Sequence, residues 1–166
     1  STMNTLPKTL ESKVRIQYHD CDPFNHLNNS RFIDYMVGAR TEQLLEHYDF
    51  NTAELVQKQG IGWVAVQTQV SYLFPAVWME KVTIESRLFL FSESSLMVEI
   101  LMWDENKTHI KAILWTKLVH FNLNSQRSMK HSEELMDFFN QVHYSLGENP
   151  VFEERVKSLR ELNLPA

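Results

Sequence analysis

The alternation of hydrophobic and polar residues changes its period twice along the chain. Residues 14–19 (VRIQYH) alternate strictly between apolar and polar side chains, which predicts a half-buried β-strand. A polar segment rich in turn-forming residues follows over positions 20–29. Residues 30–48 lack proline and carry apolar side chains at helical spacing, which predicts a helix of about five turns. Because apolar residues lie on more than one side of this helix, we expect it to be well buried.

Two positions on the predicted helix carry structural expectations of their own. Asn28 or Asn29 is a natural N-cap, because a short amide side chain accepts a hydrogen bond from the first helical turn. Gly38 lies in the middle of the helix, where glycine is unfavourable. We therefore expect a neighbour to pack closely against Gly38.

A period of two returns beyond the helix in four long segments rich in Val, Ile, Leu and aromatic residues: 63–72, 81–91, 96–103 and 109–121. Short polar or proline-containing turns join these segments, which predicts antiparallel neighbours. Residues 132–146 predict an amphipathic helix, and a last short amphipathic segment follows the break at positions 147–150. The order of elements predicts an α+β fold, in which an antiparallel sheet of about five strands curls around one long helix.

Composition and charge exclude several classes of protein. The 166 residues are 43% hydrophobic and 22% charged, which is typical of a globular chain. A formal net charge of -5 argues against nucleic acid or an anionic membrane as a partner. The single cysteine excludes an intramolecular disulfide and a cysteine-based zinc site. No apolar segment is long enough to span a membrane and residues 1–8 do not resemble a signal peptide, so we expect a cytoplasmic protein.

Residues 20–29 (DCDPFNHLNN) hold the candidate chemistry. Two carboxylates, a histidine and several amides lie between the first strand and the start of the long helix. The N–H groups of a first helical turn have no partner within the helix, and the helix dipole is positive there, so such a terminus stabilises an oxyanion. A nearby carboxylate can then act as a nucleophile or as a general base on water. This combination favours acyl transfer or hydrolysis.

Three other interpretations of the same segment stay open. Asp-Pro and Asn-Asn pairs are also ordinary turn and capping residues, so the segment fits a purely structural loop. A metal site would use four side chains: His19, Asp20, Asp22 and His26. Neither histidine, however, has a helical i, i+4 partner. Cys21 is a candidate nucleophile, although a lone cysteine more often packs as a small apolar side chain.

Residues 18–32 (YHDCDPFNHLNNSRF) resemble the strand-to-helix segment of hot-dog-fold thioesterases, of the 4-hydroxybenzoyl-CoA thioesterase-like group and of plant acyl-ACP thioesterases. The pattern in these families is Asp-x-Asp-x-x-x-His-x-Asn-Asn followed by an aromatic residue, and each element occurs here at that spacing. Residues 70–84 are similar to the family's strand, proline turn, acidic residue and next strand. The resemblance covers residues 12–122 and implies a single hot-dog domain, with residues 131–166 as a helical C-terminal extension.

This resemblance implies a role for the residues of the motif. Asp22 matches the family's catalytic carboxylate, and Asn29 lies where a helix-start N–H points at the thioester carbonyl. His26 matches a histidine implicated in the acyl-ACP branch, whereas Asp20 is expected to structure the loop. Three further residues are expected to contact the substrate: Phe24, Asn28 and Phe32.

Two departures from these families leave the carrier of the acyl group open. Plant acyl-ACP enzymes place an Asn two residues after the catalytic Asp, where this chain has Phe24. The hydroxybenzoyl-CoA enzyme holds the CoA phosphates with a basic cluster, but residues 89–95 contain no Lys or Arg. A CoA nucleotide would therefore need other cations, for which Arg87, Lys111 and Lys117 are candidates.

The expected activity is hydrolysis of an acyl-CoA or acyl-ACP thioester to a free acid and a thiol, without a metal or another cofactor. The resemblance also implies at least a homodimer, in which two sheets join edge to edge and the active sites lie at the interface. One alternative is a hot-dog protein that binds acyl thioesters without hydrolysing them. Another is a hot-dog dehydratase or hydratase, although those enzymes lack the motif found here.

Overall fold

A computed structural model gives the fold of residues 5–163. In chain order the elements are β1 (Thr9–Arg15), α1 (Asn29–Tyr48), α2 (Thr52–Gln59), β2 (Ile61–Tyr72), β3 (Lys81–Phe91), β4 (Ser95–Asp104), β5 (Ile110–Asn122), β6 (Arg127–Ser128), α3 (Glu133–Val142) and α4 (Phe152–Leu162). The five long strands form one antiparallel sheet in the order β1-β3-β4-β5-β2, and the short β6 pairs with β5. The predicted α+β fold, with a curled sheet around a long helix, is confirmed.

The two faces of the sheet are covered by different helices. Helix α1 packs Phe32 and Met36 against the inner face, where they join a core built from β3, β4 and β5. The C-terminal helix α4 packs Phe152, Val156 and Leu159 against the outer face. Burying apolar surface on both faces stabilises the sheet, since each side chain removed from water contributes about 1.5–3 kcal/mol.

The prediction that α1 is well buried is wrong for the single chain. The sheet covers one side of the helix, and Ile33 and Val37 on another side remain 37% and 40% exposed. Gly38 lies on the same exposed side, and no atom lies within 4 Å of the position that a Cβ would take there. The close neighbour expected at Gly38 is therefore not found within residues 5–163.

The first strand begins and ends earlier than its alternation predicts. It pairs with β3 from Thr9 opposite Arg87 to Arg15 opposite Lys81, and β3 itself starts at Lys81. No partner strand extends past that point, so the backbone leaves the sheet and makes a 3-10 turn at Tyr18–Asp20. The alternation over residues 14–19 therefore continues past the end of the ladder that supports the strand.

The turn around Pro75 does not join neighbouring strands, contrary to prediction. Strand β2 pairs with β5, whereas β3 pairs with β1 and β4, so residues 73–80 cross from one edge of the sheet towards the other. This crossover is hydrogen-bonded to residues 20–29: Leu27 N donates to Ala76 O at 2.8 Å, and Trp78 N donates to Asn25 O at 2.8 Å. The remaining short turns do join antiparallel neighbours, namely β3 with β4 and β4 with β5.

Two helices differ from the sequence expectation. Helix α2 is not predicted, because it is short and polar; Asn51 caps its start by accepting from Glu54 N, and Gly60 ends it with a φ of 65°. Helix α3 ends at Val142, four residues before the predicted end at position 146. Beyond it the chain leaves the helix and bonds to β3, where Tyr144 N donates to Leu88 O. No helix within residues 5–163 is both long and apolar enough to cross a membrane.

Candidate active site

The loop between β1 and α1 is organised by the carboxylate of Asp22. Its Oδ1 accepts hydrogen bonds from Phe24 N at 2.8 Å and from His26 N at 3.0 Å, while Asp22 N donates to His26 O at 2.8 Å. Asn25 completes the tight turn with a φ of 65°, a conformation that Asn tolerates better than most residues. One oxygen of Asp22 is therefore fixed by the loop, and its Oδ2 accepts no hydrogen bond from residues 5–163.

Asp20, the other carboxylate of the loop, has a structural environment. The hydroxyl of Tyr35 donates to its Oδ2 at 2.5 Å and accepts from Gln17 N at 3.0 Å. Burial, together with the hydrogen bond to Asp20, raises the pKa of Tyr35 to about 12. The backbone oxygen of Asp20 also accepts from Asn28 N at 3.0 Å. Asp20 thus ties the strand end, the loop and α1 together, as a loop-structuring residue should.

Helix α1 begins at Asn29 with Asn28 at its N-cap, but the Asn28 side chain makes no capping hydrogen bond. The first turn also contains no acidic side chain to complement the helix dipole. The carbonyl oxygen of Asn29 accepts from the hydroxyl of Tyr72 at 2.9 Å, which anchors the helix start to the end of β2. The amide groups of the first turn are left without a side-chain cap and are suited to bind a negatively charged oxygen.

A cavity of about 500 Å³ brings the helix start and the loop together. Its lining residues come from two parts of the chain: Asp22, His26, Leu27, Asn28, Asn29 and Phe32 from the loop and α1, and Tyr72, Leu73, Phe74 and Pro75 from the end of β2 and the crossover. We refer to it as the polar cavity. Five of the six predicted site residues therefore share one cavity.

The sixth predicted residue, Phe24, lies apart from the polar cavity and is 80% exposed. By contrast, Phe32 is buried at the cavity wall, where its ring packs edge to face with Tyr72 at 5.1 Å between centroids. Sequence reasoning assigned no site role to Tyr72 or the residues after it. The similarity of residues 70–84 to a family segment was a signal for them, because that segment supplies one wall.

The described residues do not support two of the alternative chemistries. They contain no group of three or more His, Cys, Asp or Glu side chains close enough together to hold a metal ion, so His19 and His26 do not complete one with the loop carboxylates. Burial raises the pKa of the Cys21 thiol, and the charges of Asp20 and Asp22 raise it further. A thiol with a raised pKa is a poor nucleophile.

Two of the three cations considered for the CoA phosphates are held by carboxylates. Arg87 is buried on the outer face of the sheet, between Glu85 and Glu99. Lys111 forms a salt bridge to Glu80 at 3.0 Å and donates to the backbone oxygen of Pro75 at 2.7 Å. Only Lys117 among the three is exposed.

A second cavity, of about 430 Å³, lies at the other end of α1. Most of its lining is apolar and comes from elements far apart in the sequence: Val37, Arg40, Thr41, Leu44, Tyr48, Phe50, Thr52, Ala53, Val56, Gly62, Trp63, Val64, Leu88, Leu96, Val98, Leu118, Phe121, Leu123, Phe138, Phe139 and Val142. We refer to it as the apolar cavity. Its wall is formed by α1, α2, α3 and the sheet. No sequence motif predicts this cavity.

The fold and the polar cavity can now be set beside known proteins. Residues 16–139 match the Thioesterase-like superfamily, and the chain belongs to that family. It is a hydrolase that acts on thioester bonds, as the motif predicts. A curated relative, the long-chain acyl-CoA thioesterase FadM of Escherichia coli K12, is 22% identical over 133 residues, which make up 80% of this chain and 98% of the relative.

Solved structures confirm the hot-dog fold. A Staphylococcus aureus protein in complex with CoA superimposes with a TM-score of 0.76 at 10% identity, over 93% of this chain and 96% of that one. The 12:0-ACP thioesterase of Umbellularia californica gives a TM-score of 0.73 at 15% identity and covers 89% of this chain. This chain spans about half, 54%, of the length of that acyl-ACP thioesterase.

Proposed function

We propose that this protein hydrolyses acyl-CoA thioesters, with Asp22 as the catalytic carboxylate. The observation that carries the proposal is that Asp22 and the uncapped start of α1 line the same polar cavity. A carboxylate can act as the nucleophile or general base and a helix terminus can stabilise the oxyanion, so together these two groups can support acyl hydrolysis. The name of the FadM relative favours CoA as the carrier over acyl carrier protein.

In the proposed reaction, the thioester carbonyl oxygen accepts hydrogen bonds from the first amides of α1, near Asn29. Asp22 Oδ1 is already held by the loop, so Oδ2 performs the chemistry. It either attacks the carbonyl carbon, expelling the thiolate and forming an anhydride that water cleaves, or removes a proton from the water that attacks. His26 positions Asp22 through its backbone N–H and lines the cavity beside it.

Three further residues complete the proposed substrate contacts. Asn28 and Phe32 line the polar cavity, where they border the thioester. Phe24 is exposed on the same loop, outside the polar cavity, and contacts the part of the substrate that extends into solvent. The apolar cavity receives the acyl chain, because burial of methylene groups there is worth about 0.8 kcal/mol for each.

The working form in this proposal is a homodimer joined through the β2 edge. Strand β2 is twelve residues long and lies at the end of the sheet, where β5 is its one partner strand among residues 5–163. Val64 and Val66 on this strand are 44% and 56% exposed, next to the exposed side of α1 that carries Val37. A long apolar strand edge is a liability in a monomer, and a second copy of the chain satisfies its backbone groups.

Two-fold pairing of β2 also explains why the two cavities lie at opposite ends of α1. In an antiparallel pair, the Tyr72 end of one β2 lies beside the Gly62 end of the other. The polar cavity contains Tyr72, and the apolar cavity contains Gly62. The pairing therefore sets the polar cavity of one subunit beside the apolar cavity of its partner, so that each active site uses both subunits.

The test of the proposed activity is thiol release from acyl-CoAs of short, medium and long chain, followed with a thiol-reactive dye. We expect Asp22→Asn to lower kcat/KM by roughly 100-fold or more, since it removes the base or nucleophile. The matched control is Asp34→Asn, which changes an exposed carboxylate on α1 that pairs only with Arg31 and should leave the rate within about twofold.

Circular dichroism of each variant establishes that it is folded. Full activity of folded Asp22→Asn would contradict the role of Asp22. A wild-type protein that hydrolyses no acyl-CoA would be tried on acyl-ACP, and hydrolysis there alone would contradict the CoA assignment. Tight acyl-CoA binding by calorimetry without turnover of either substrate would show a binding protein instead.

A further inference from the structure

The apolar cavity contains one charged side chain, that of Arg40. Arg40 lies on α1, and its Nη1 donates to Ser86 Oγ at 3.1 Å. That hydroxyl donates in turn to Gln43 Oε1 at 2.6 Å, so its hydrogen is not available to any other group. The remaining cavity wall is mostly aliphatic and aromatic, which is an unfavourable setting for a cation.

The guanidinium of Arg40 has no carboxylate partner within residues 5–163, and Ser86 is its one hydrogen-bond acceptor there. A guanidinium carries five N–H donors, so most of its donor capacity is unused. Burial lowers the pKa of Arg40 to about 10, which still leaves it protonated at neutral pH. The cavity wall therefore presents a positive charge with open donor positions.

Two other arginines that pack against the sheet, Arg87 and Arg155, show how a structural arginine is neutralised in this protein. Arg87 lies between Glu85 and Glu99 on the outer face of the sheet, and Arg155 binds Glu99 through two hydrogen bonds of 2.8 and 2.9 Å. Both are neutralised by carboxylates, as buried charges usually are. Arg40 differs from them because its open side faces a cavity that is large enough for a ligand.

We propose that Arg40 is a specificity residue, which selects acyl groups that carry an oxygen atom on the chain, away from the thioester. A hydroxyl, keto or carboxylate oxygen on the chain accepts a hydrogen bond from the guanidinium inside the apolar cavity. An unsubstituted chain of the same length leaves the charge without a partner. This inference deepens the proposed thioesterase function and rests on the apolar cavity as the acyl site.

The test compares acyl-CoAs of equal chain length in matched pairs. One member of each pair is unsubstituted, and the other carries a hydroxy, oxo or ω-carboxy group. The three substituents show which kind of oxygen Arg40 binds. For the wild type we expect a kcat/KM that is roughly 10-fold to 100-fold higher for at least one substituted chain, which is the range for a hydrogen bond to a charged group. Arg40→Met keeps a flexible, unbranched side chain without the guanidinium and should abolish this preference. Arg40→Lys should keep part of it, and the exposed Arg127→Met is the matched control.

A binding measurement separates failure of this proposal from failure of the thioesterase function. Calorimetry with the free acids, substituted and unsubstituted, reports the same preference without any turnover. We also expect Arg40→Met to unfold at the same or a higher temperature than the wild type, because replacing a half-buried charge that has no carboxylate partner within residues 5–163 by an apolar side chain is neutral or stabilising. If Arg40 were purely structural, the Met variant would be less stable and would keep the wild-type preference between substituted and unsubstituted acids. That result would overturn the proposal. A wild type that binds the unsubstituted acids more tightly would also overturn it.

Discussion

The polar and apolar cavities are of similar size but are built in opposite ways. The polar cavity, of about 500 Å³, is formed by one continuous loop, the start of α1 and the end of β2. The apolar cavity, of about 430 Å³, takes its wall from three helices and four strands. The first is defined by backbone amides and a few polar groups, and the second by apolar bulk around Arg40. The two cavities share no lining residue. In the proposed reaction, the chemistry and the recognition of the acyl chain can therefore be changed separately.

The largest expected effect comes from mixing two inactive variants. Thr41→Trp fills the apolar cavity and should lower activity on long-chain acyl-CoAs by roughly 100-fold, through loss of burial of several methylene groups. Asp22→Asn disables the polar cavity. If a site combines the polar cavity of one subunit with the apolar cavity of its partner, the mixed dimer has one intact site, and random mixing should restore about a quarter of the wild-type activity.

Each variant alone, unfolded and refolded in the same way, is the control for this recovery. Activity is measured by thiol release on a long-chain acyl-CoA. Recovery that stays at the level of the unmixed variants would mean that both cavities of a site belong to one subunit.

The next largest effect is expected from breaking the β2 edge. Val66→Lys places a charge on the edge strand of the proposed dimer, so we expect light scattering to report a dimer for the wild type and a monomer for the variant. Activity should fall at least tenfold, because the polar cavity of one subunit then loses its neighbour. Leu162→Lys, an exposed apolar position on α4, is the matched control and should stay dimeric and active. A fully active Val66→Lys monomer would show that the two cavities work within one chain.

A smaller effect is expected at the support of the polar cavity. Tyr35→Phe removes the hydroxyl that bridges Asp20 and Gln17, which should cost about 1–2 kcal/mol in the free energy of unfolding. The loop amides still hold Asp22, so kcat/KM should fall by less than about tenfold. Urea unfolding and thiol release measure the two quantities. A loss as large as that of Asp22→Asn would assign Tyr35 a direct part in the chemistry.

The smallest effect concerns two imidazoles beside the apolar cavity. Trp63 Nε1 donates to His131 Nε2 at 3.0 Å, and the rings of His120 and His131 lie 4.9 Å apart. Burial lowers the pKa of both histidines, so folding favours their neutral forms. Their stabilisation is complete above the unfolded pKa of about 6.5 and is lost as the pH falls from there towards the lowered folded values.

Thermal unfolding at pH 7.5 and pH 5.5 measures this loss. The drop in Tm between the two conditions should be smaller in His131→Gln, which cannot titrate. The control is the exposed His47→Gln, which should keep the full drop. Identical drops in wild type and His131→Gln would exclude this cluster as the source of the pH dependence.

The sequence predicted the polar cavity far better than the apolar one, for a physical reason. Asp22, His26 and Asn29 lie within eight residues of one another, so a single turn brings them together and their spacing carries the signal. The apolar cavity depends on tertiary packing of residues as distant as Val37 and Phe138, whose apolar character is typical of any core. Arg40 carries no signal in the sequence, because a charged residue on a helix is most often solvent-exposed.

The fold shows the same division between local and distant information. Periodicity predicted α1 and the long strands β2 to β5 to within two residues, because each element satisfies its own backbone hydrogen-bond pattern. The end of β1 and the path of residues 73–80 depended on which strands pair, and pairing is not encoded in the period of one segment. The short polar helix α2 lacked an apolar stripe and was missed for that reason.

The bonds between the crossover and the loop of residues 20–29 join main-chain atoms: Leu27 to Ala76 and Trp78 to Asn25. Main-chain contacts place no demand on side-chain identity as long as the backbone keeps its path. The position of the crossover against the loop is therefore fixed by the backbone path, whereas the shape of the loop also needs the Asp22 carboxylate and the Asn25 turn. Chains that share as little as 10% of their residues with this one can in this way have the same fold.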